Sequence, residues 1–201
     1  MGAIMQIFQG FGLSAASGLN AYIPLLVVGL AARFTNWVQL SPPFDALTNE
    51  WVLGTLVVLE LIEVFVDKIP GLDHINDVIQ TFVRPTAGAV LFASEAHVIT
   101  NLNPVIAVIL GLVVAFGVHA TKATVRPVVT AGTLGTGNWL VSIAEDIVSV
   151  LVSTLAIIAP VLLGLLLVVF IWLLFRWRSN RAAKNAAMTS GSGNPPLKWP
   201  H

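Results

Sequence analysis

The stretch WVLGTLVVLELIEVFVDKIPG, residues 51–71, decides the fold. Trp51 to Ile69 reads as one apolar helix, stopped by Pro70-Gly71 because proline cannot continue a helix and glycine favours its end. Inside that helix lie Glu60, Glu63 and Asp67 at i, i+3 and i+7, which places three carboxyl groups on a single face. A helix that is greasy on most sides and acidic on one has a lipid-like surrounding and a polar interior to turn toward.

The chain outside this stretch agrees. Of 201 residues, 56% are hydrophobic and only 10% charged, against roughly a quarter charged in a soluble domain. Too few charges remain to cover a water-facing surface. The predicted fold class is therefore all-α and polytopic, with about six transmembrane segments at roughly 20 residues each, some of them broken or kinked. The first runs from about Ile4 to Phe34, longer than one straight span requires. Its middle, Ser14-Ala-Ala-Ser17-Gly-Leu-Asn20 with Pro24 beyond, is either an unwound link between two half-helices or a stripe of small residues that lets a neighbour approach closely. Residues 35–50, with Pro42-Pro43 and flanked by Trp37 and Trp51, read as an external loop between interfacial aromatics. Further segments are expected at about 74–98, with a kink or break at Arg84-Pro85, and at about 104–123. Residues 139–175 form either two segments divided at Pro160 or one long kinked helix.

Domain organisation follows: a helical membrane domain over 1–178 and a polar tail over 179–201 that cannot bury apolar surface and is expected to be disordered. The first sixteen residues contain no Lys or Arg, unlike a cleaved signal peptide, and are expected to belong to the mature protein. Lys68, Lys122, Arg126 and the tail cluster fall on one side of a six-span arrangement. The positive-inside rule then predicts a multi-pass protein of the bacterial inner (plasma) membrane with both termini cytoplasmic. The run Arg84-Pro-Thr-Ala-Gly88 has an echo in Arg126-Pro127 followed by Thr130-Ala-Gly132, the trace of a candidate internal repeat.

Other charges repeat the opening pattern. His119, Lys122 and Arg126 share the spacing of the acidic stripe; Asp77, Arg84, Gly88 and Glu95 lie along one face of their segment; Ser142, Glu145, Asp146, Ser149 and Ser153 form a band. An ionised side chain at mid-bilayer costs about 2.5–3.5 kcal/mol on insertion scales. These faces must turn inward. There they either line a polar cavity that binds an ion or relays a proton, or form a salt-bridge network that fixes packing. Glu145 and Asp146 sit close to the start of their helix, nearer an interface.

Several chemistries have no support in the residues. With no cysteine, there is no disulfide, thiolate metal site or thiol nucleophile. Hydrolase elbows, zinc-protease pairs, phosphate loops and dinucleotide fingerprints are all missing, so no catalytic residue, metal or cofactor is assigned. Asp67, Asp73 and Asp77 around the Pro70-Gly71 turn are the residues a Mg²⁺-dependent lipid enzyme would use, if their carboxylates converged. The formal net charge is zero, and no nucleic-acid partner is expected.

Gly12-Leu-Ser-Ala-Ala-Ser-Gly-Leu-Asn20-Ala-Tyr-Ile-Pro24, Glu63 with Asp67-Lys-Ile-Pro-Gly-Leu-Asp73, Arg84-Pro85 with Ala87-Gly88, the later His119, Lys122 and Arg126, and Ser142 with Glu145-Asp146 together resemble a bacterial membrane-protein family, domain of unknown function four-one-two-six. The resemblance covers most of the chain to about Val150. It implies a small multi-helix membrane protein and names no substrate or reaction.

The leading expectation is a small secondary transporter or ion/proton-translocating membrane protein, not an enzyme. Its charged intramembrane cavity would be lined by Glu60, Glu63, Asp67, Lys68, Arg84, His119, Lys122, Arg126, Glu145 and Asp146, with Ser17 and Asn20 offering polar groups from a broken helix. The alternative is a non-catalytic subunit that scaffolds or assembles a larger complex. Expected partners are the lipid bilayer and a small ion or solute, with a homo-oligomer or larger membrane complex as a further option.

Overall fold

A computed structural model describes residues 2–66, 72–96, 102–133 and 137–166, with 168, 169, 172 and 176; the side chains of 72–74, 96 and 125–131 are outside that description. The chain divides into two compact units, Met1–Leu163 and Gly164–His201. In the second, the Arg176 guanidinium stands 5.2 Å from the centre of the Trp172 ring. The expected tail, 179–201, lies outside the described residues.

All regular structure among the described residues is helical: α1 (Ala3–Leu19), α2 (Tyr22–Phe34), a 3-10 turn (Phe44–Thr48), α3 (Glu50–Val66), α4 (Leu72–Ala96), α5 (Pro104–Thr133) and α6 (Asn138–Ile158). By length and composition, two helices can cross a membrane: the Pro104–Thr124 part of α5, and α6. Tyr22–Phe34 is a shorter apolar helix.

The first long segment breaks, and it does so at Asn20-Ala21 rather than earlier in the small-residue stretch. Asn20 is extended (φ −143°, ψ 131°). Its Oδ1 accepts the first two backbone N–H groups of α2, from Tyr22 (2.9 Å) and Ile23 (3.0 Å). Pro24 costs nothing there, since a helix's first turn has no intrahelical acceptor for its N–H groups. Ser17 to Leu19 stay helical. The halves are not collinear: Gln6 and Gln9 of α1 line the same cavity as Asn36 and Trp37, just beyond α2. α1 and α2 therefore form a hairpin with Asn20 at its tip.

Small residues also do what the alternative reading expected. α1 runs antiparallel to α4, with Ser14 Oγ donating to the Gly88 carbonyl (2.9 Å). It runs antiparallel to α6 too, where Ser149 Oγ donates to the Ala16 carbonyl (3.1 Å). α4 and α5 cross at Gly88 and Gly111. A Cβ on Gly111 would strike the Gly88 carbonyl oxygen and the Phe92 side chain, and one on Gly88 would strike Ala115 and Ser17. Beyond this crossing Phe92 is buried with Ala93 and Ala107, and Phe11 meets Phe92 edge-on at 5.0 Å.

Two boundaries differ from expectation. α4 runs unbroken through Pro85, and α5 continues through Pro127 to Thr133, ten residues past its expected end near Ala123. A helix absorbs one proline when neighbouring helices hold it on both sides of the lost hydrogen bond. The division near Pro160 is present: α6 ends at Ile158, and helical residues resume at Pro160. The two halves of the suggested repeat are not packed alike, because Gly88 is enclosed while a Cβ on Gly132 would meet nothing.

Candidate functional site

The tip of the α1–α2 hairpin reaches the charged faces of four other helices. Asn20 is fully buried. Its Nδ2 donates to Glu60 Oε1 on α3 (3.2 Å) and to Asp146 Oδ1 on α6 (2.9 Å). One neutral amide thus joins two carboxyl groups from different helices, while its oxygen is used up capping α2. Glu60 Oε2 is buried with no hydrogen-bond partner.

One turn further along α3, Glu63 accepts a 2.7 Å hydrogen bond from Arg84 Nη2 of α4. The two side chains are 4% and 1% exposed, so this is an interior ion pair. Breaking such a pair is expensive because the remaining charge is stranded away from water. Arg84 Nη1 lies 3.4 Å from His119 Nδ1, and His119 Nε2 lies 3.0 Å from Thr81 Oγ1. The Thr81 hydroxyl donates to the Asp77 carbonyl (2.8 Å), so toward His119 it accepts. One arrangement satisfies all three contacts. Nε2 carries the ring proton and gives it to Thr81, and bare Nδ1 accepts from Arg84, which has only donors.

On the next turn of α5, Lys122 Nζ sits 2.6 Å from Glu145 Oε2 of α6 and 3.3 Å from the Leu19 carbonyl at the end of α1. Glu145 and Asp146, expected near an interface, thereby join the same cluster. Four carboxyl groups (Glu60, Glu63, Glu145, Asp146) share this interior with two fixed cations (Arg84, Lys122) among the described side chains. A cleft of about 140 Å³ lined by Asp77, Thr81, His119 and Lys122 opens onto it.

The cluster therefore unites Asn20, Glu60, Glu63, Arg84, His119, Lys122, Glu145 and Asp146. Ser17 stands apart: fully buried, its hydroxyl donates to the Ser14 carbonyl of its own helix (2.8 Å), and it packs at the helix crossing. Asp67, Lys68 and the side chain of Arg126 lie outside the described residues. So does the side chain of Asp73, which leaves the convergence of Asp67, Asp73 and Asp77 outside them as well. Among the described residues no group of three His, Asp or Glu side chains could hold a metal ion. Thr81 escaped the sequence reading. It lies one turn before Arg84 on the same face, the spacing that would have flagged it had hydroxyls been weighed with charges.

The family model for the domain of unknown function DUF4126 matches residues 7–180. The chain belongs to this family. The DUF4126 match covers α2 to α6 in full, α1 from residue 7 onward, and every residue of the cluster. No curated protein and no solved structure matches the chain, so the DUF4126 assignment carries a fold expectation and no chemistry of its own.

Proposed function

We propose that the chain is a polytopic inner-membrane protein that moves a cation or proton through the cluster at the hairpin tip. The membrane part rests on the outer surfaces of the helices. Val57, Leu61, Phe65, Phe82, Val113 and Leu151 are all exposed large apolar side chains, an arrangement water would punish and lipid welcomes. α4 is the least apolar of these helices, and its Arg84 and Glu95, like Glu63 of α3, are buried away from that outer surface. Trp37 and Trp51 are exposed at one end of the bundle, where interfacial aromatics belong. With the 35–49 loop outside, the hairpin carries the beginning of α1 to the outside too, in place of the cytoplasmic N-terminus that the positive-inside rule predicts.

The single observation that carries the translocation reading is the Glu60–Asn20–Asp146 bridge. It holds two acids together through a neutral amide at a helix break, with one Glu60 oxygen lacking a partner. A cation or proton entering between them supplies the missing positive charge, and such intramembrane acids at broken helices suit ion coupling. The test is a proteoliposome flux assay over a panel of ions and small solutes. Glu60→Gln keeps the shape and removes the charge, so flux of the transported species falls at least about tenfold, the scale of one lost charge-assisted contact. The unfolding midpoint stays near wild type.

A second reading, a non-catalytic membrane subunit, draws support from the two buried ion pairs, Glu63–Arg84 and Lys122–Glu145, which suit a fixed structural network. Wild-type protein that moves no solute in the panel decides for it.

A further inference from the structure

α4 carries one more buried acid, and it takes no part in the cluster. Glu95 lies eleven residues beyond Arg84, roughly 16 Å along the helix, past the Gly88–Gly111 crossing and Phe92. It is 6% exposed and accepts a 3.2 Å hydrogen bond from Gln9 Nε2. Gln9 is itself 2% exposed, and its Oε1 is buried with no partner. Both side chains border a cavity of about 210 Å³, which Gln6, Asn36, Trp37 and Val38 also line. Among the described residues lining it, Glu95 alone is ionisable.

The cavity thus offers one carboxyl group, four side-chain amides of which the Gln9 oxygen is unsatisfied, an indole and the aliphatic side chain of Val38. A bare divalent ion would keep one uncompensated positive charge against the single carboxyl group of this lining. A carboxylate beside an aromatic ring and apolar carbon is the usual setting for an alkylated nitrogen cation. We propose that this cavity binds a small organic ammonium ion, its charge on Glu95, an N–H on Gln9 Oε1 and its carbons against Trp37 and Val38. The site stands whether or not the cluster at Asn20 translocates anything.

The test titrates propylammonium into the full chain in detergent micelles, where no flux is measured and the translocation reading is not at stake. Binding is followed by calorimetry and by tryptophan fluorescence. Saturable binding is expected, weakened at least about tenfold in Glu95→Gln, the scale for losing one partner of a buried charge contact. The fluorescence response disappears in Trp37→Phe, and an equal concentration of potassium does not displace the ligand. Trp37→Ala, at an exposed loop position remote from the helix contacts, also weakens binding and keeps the test decisive if Glu95→Gln does not fold. Absent saturation, unchanged affinity in Glu95→Gln or in Trp37→Ala, or displacement by potassium as effective as by a second alkylammonium overturns the proposal.

Discussion

Two polar regions lie along α4, and they are built on opposite plans. Around Asn20, acids and bases from four helices and the Asn20 amide are tied together over short distances: Arg84 with Glu63, Lys122 with Glu145, Asn20 with Glu60 and Asp146. Around Glu95, one acid meets one neutral amide and an open cavity. Between them the Gly88–Gly111 crossing and the Phe11–Phe92 contact form a dry, tightly packed stretch. The two ion pairs, each compensated within itself, hold helices in register, while Glu60 and Asp146 meet through a neutral amide. A charge left with only an amide and a cavity leaves room for a partner from outside.

That contrast can be broken most forcefully at Arg84. Arg84→Met leaves Glu63 stranded in the interior and should lower unfolding free energy by about 3–5 kcal/mol, with most of it recovered in the Arg84→Met/Glu63→Gln double variant. Chemical denaturation in mild detergent measures both. A single variant as stable as wild type would mean that water reaches Glu63 freely. The dry partition comes next. Gly111→Leu drives a side chain into the Gly88 backbone and Phe92, and overpacking of that kind costs about 1–3 kcal/mol. Its thermal midpoint should fall, and hydrogen exchange in α4 and α5 should rise on both sides of the crossing. The smallest effect belongs to the exposed pair Arg33–Glu50, where Arg33 also donates to the Thr48 carbonyl. Side-chain exposures of 31% and 77% put Arg33→Gln within about 1 kcal/mol of wild type by the same denaturation measurement, as for surface pairs generally. A larger loss would show that the loop bordering the Glu95 cavity is held by this pair.

Much of the cluster was legible in the residues because α-helical geometry is local. Glu60 with Glu63, and His119 with Lys122, are forced onto common faces by 3.6-residue periodicity alone, and on the proposed membrane reading the cost of a charge in lipid turns those faces inward. The partners were not legible. Nothing in the spacing says that Arg84 takes Glu63 rather than Glu60, or that Lys122 takes Glu145. Those choices depend on helix rotation and depth, which small differences in packing decide. The break allowed for at Pro85 is missing for a related reason: proline's penalty is a local preference, and contacts on either side override it. Ser17 looked like a polar lining residue and is a packing residue, because its own helix offers its hydroxyl an acceptor three residues back.

Taken alone, the chain's composition and periodicities pointed to an all-helical architecture with little surface suited to water and to the inward direction of the charged stripes, and left open whether residues 139–175 divide at Pro160. These depend on solvation energies and on geometry within one helix. Only the tertiary structure decided that α1 and α2 fold back at Asn20, that one asparagine amide joins Glu60 to Asp146, and that Glu95 stands apart beside a cavity. The last two bring together residues from 40 to 126 positions apart, and the hairpin sets Gln6 and Asn36 around one cavity; no rule operating within one helix can see that far.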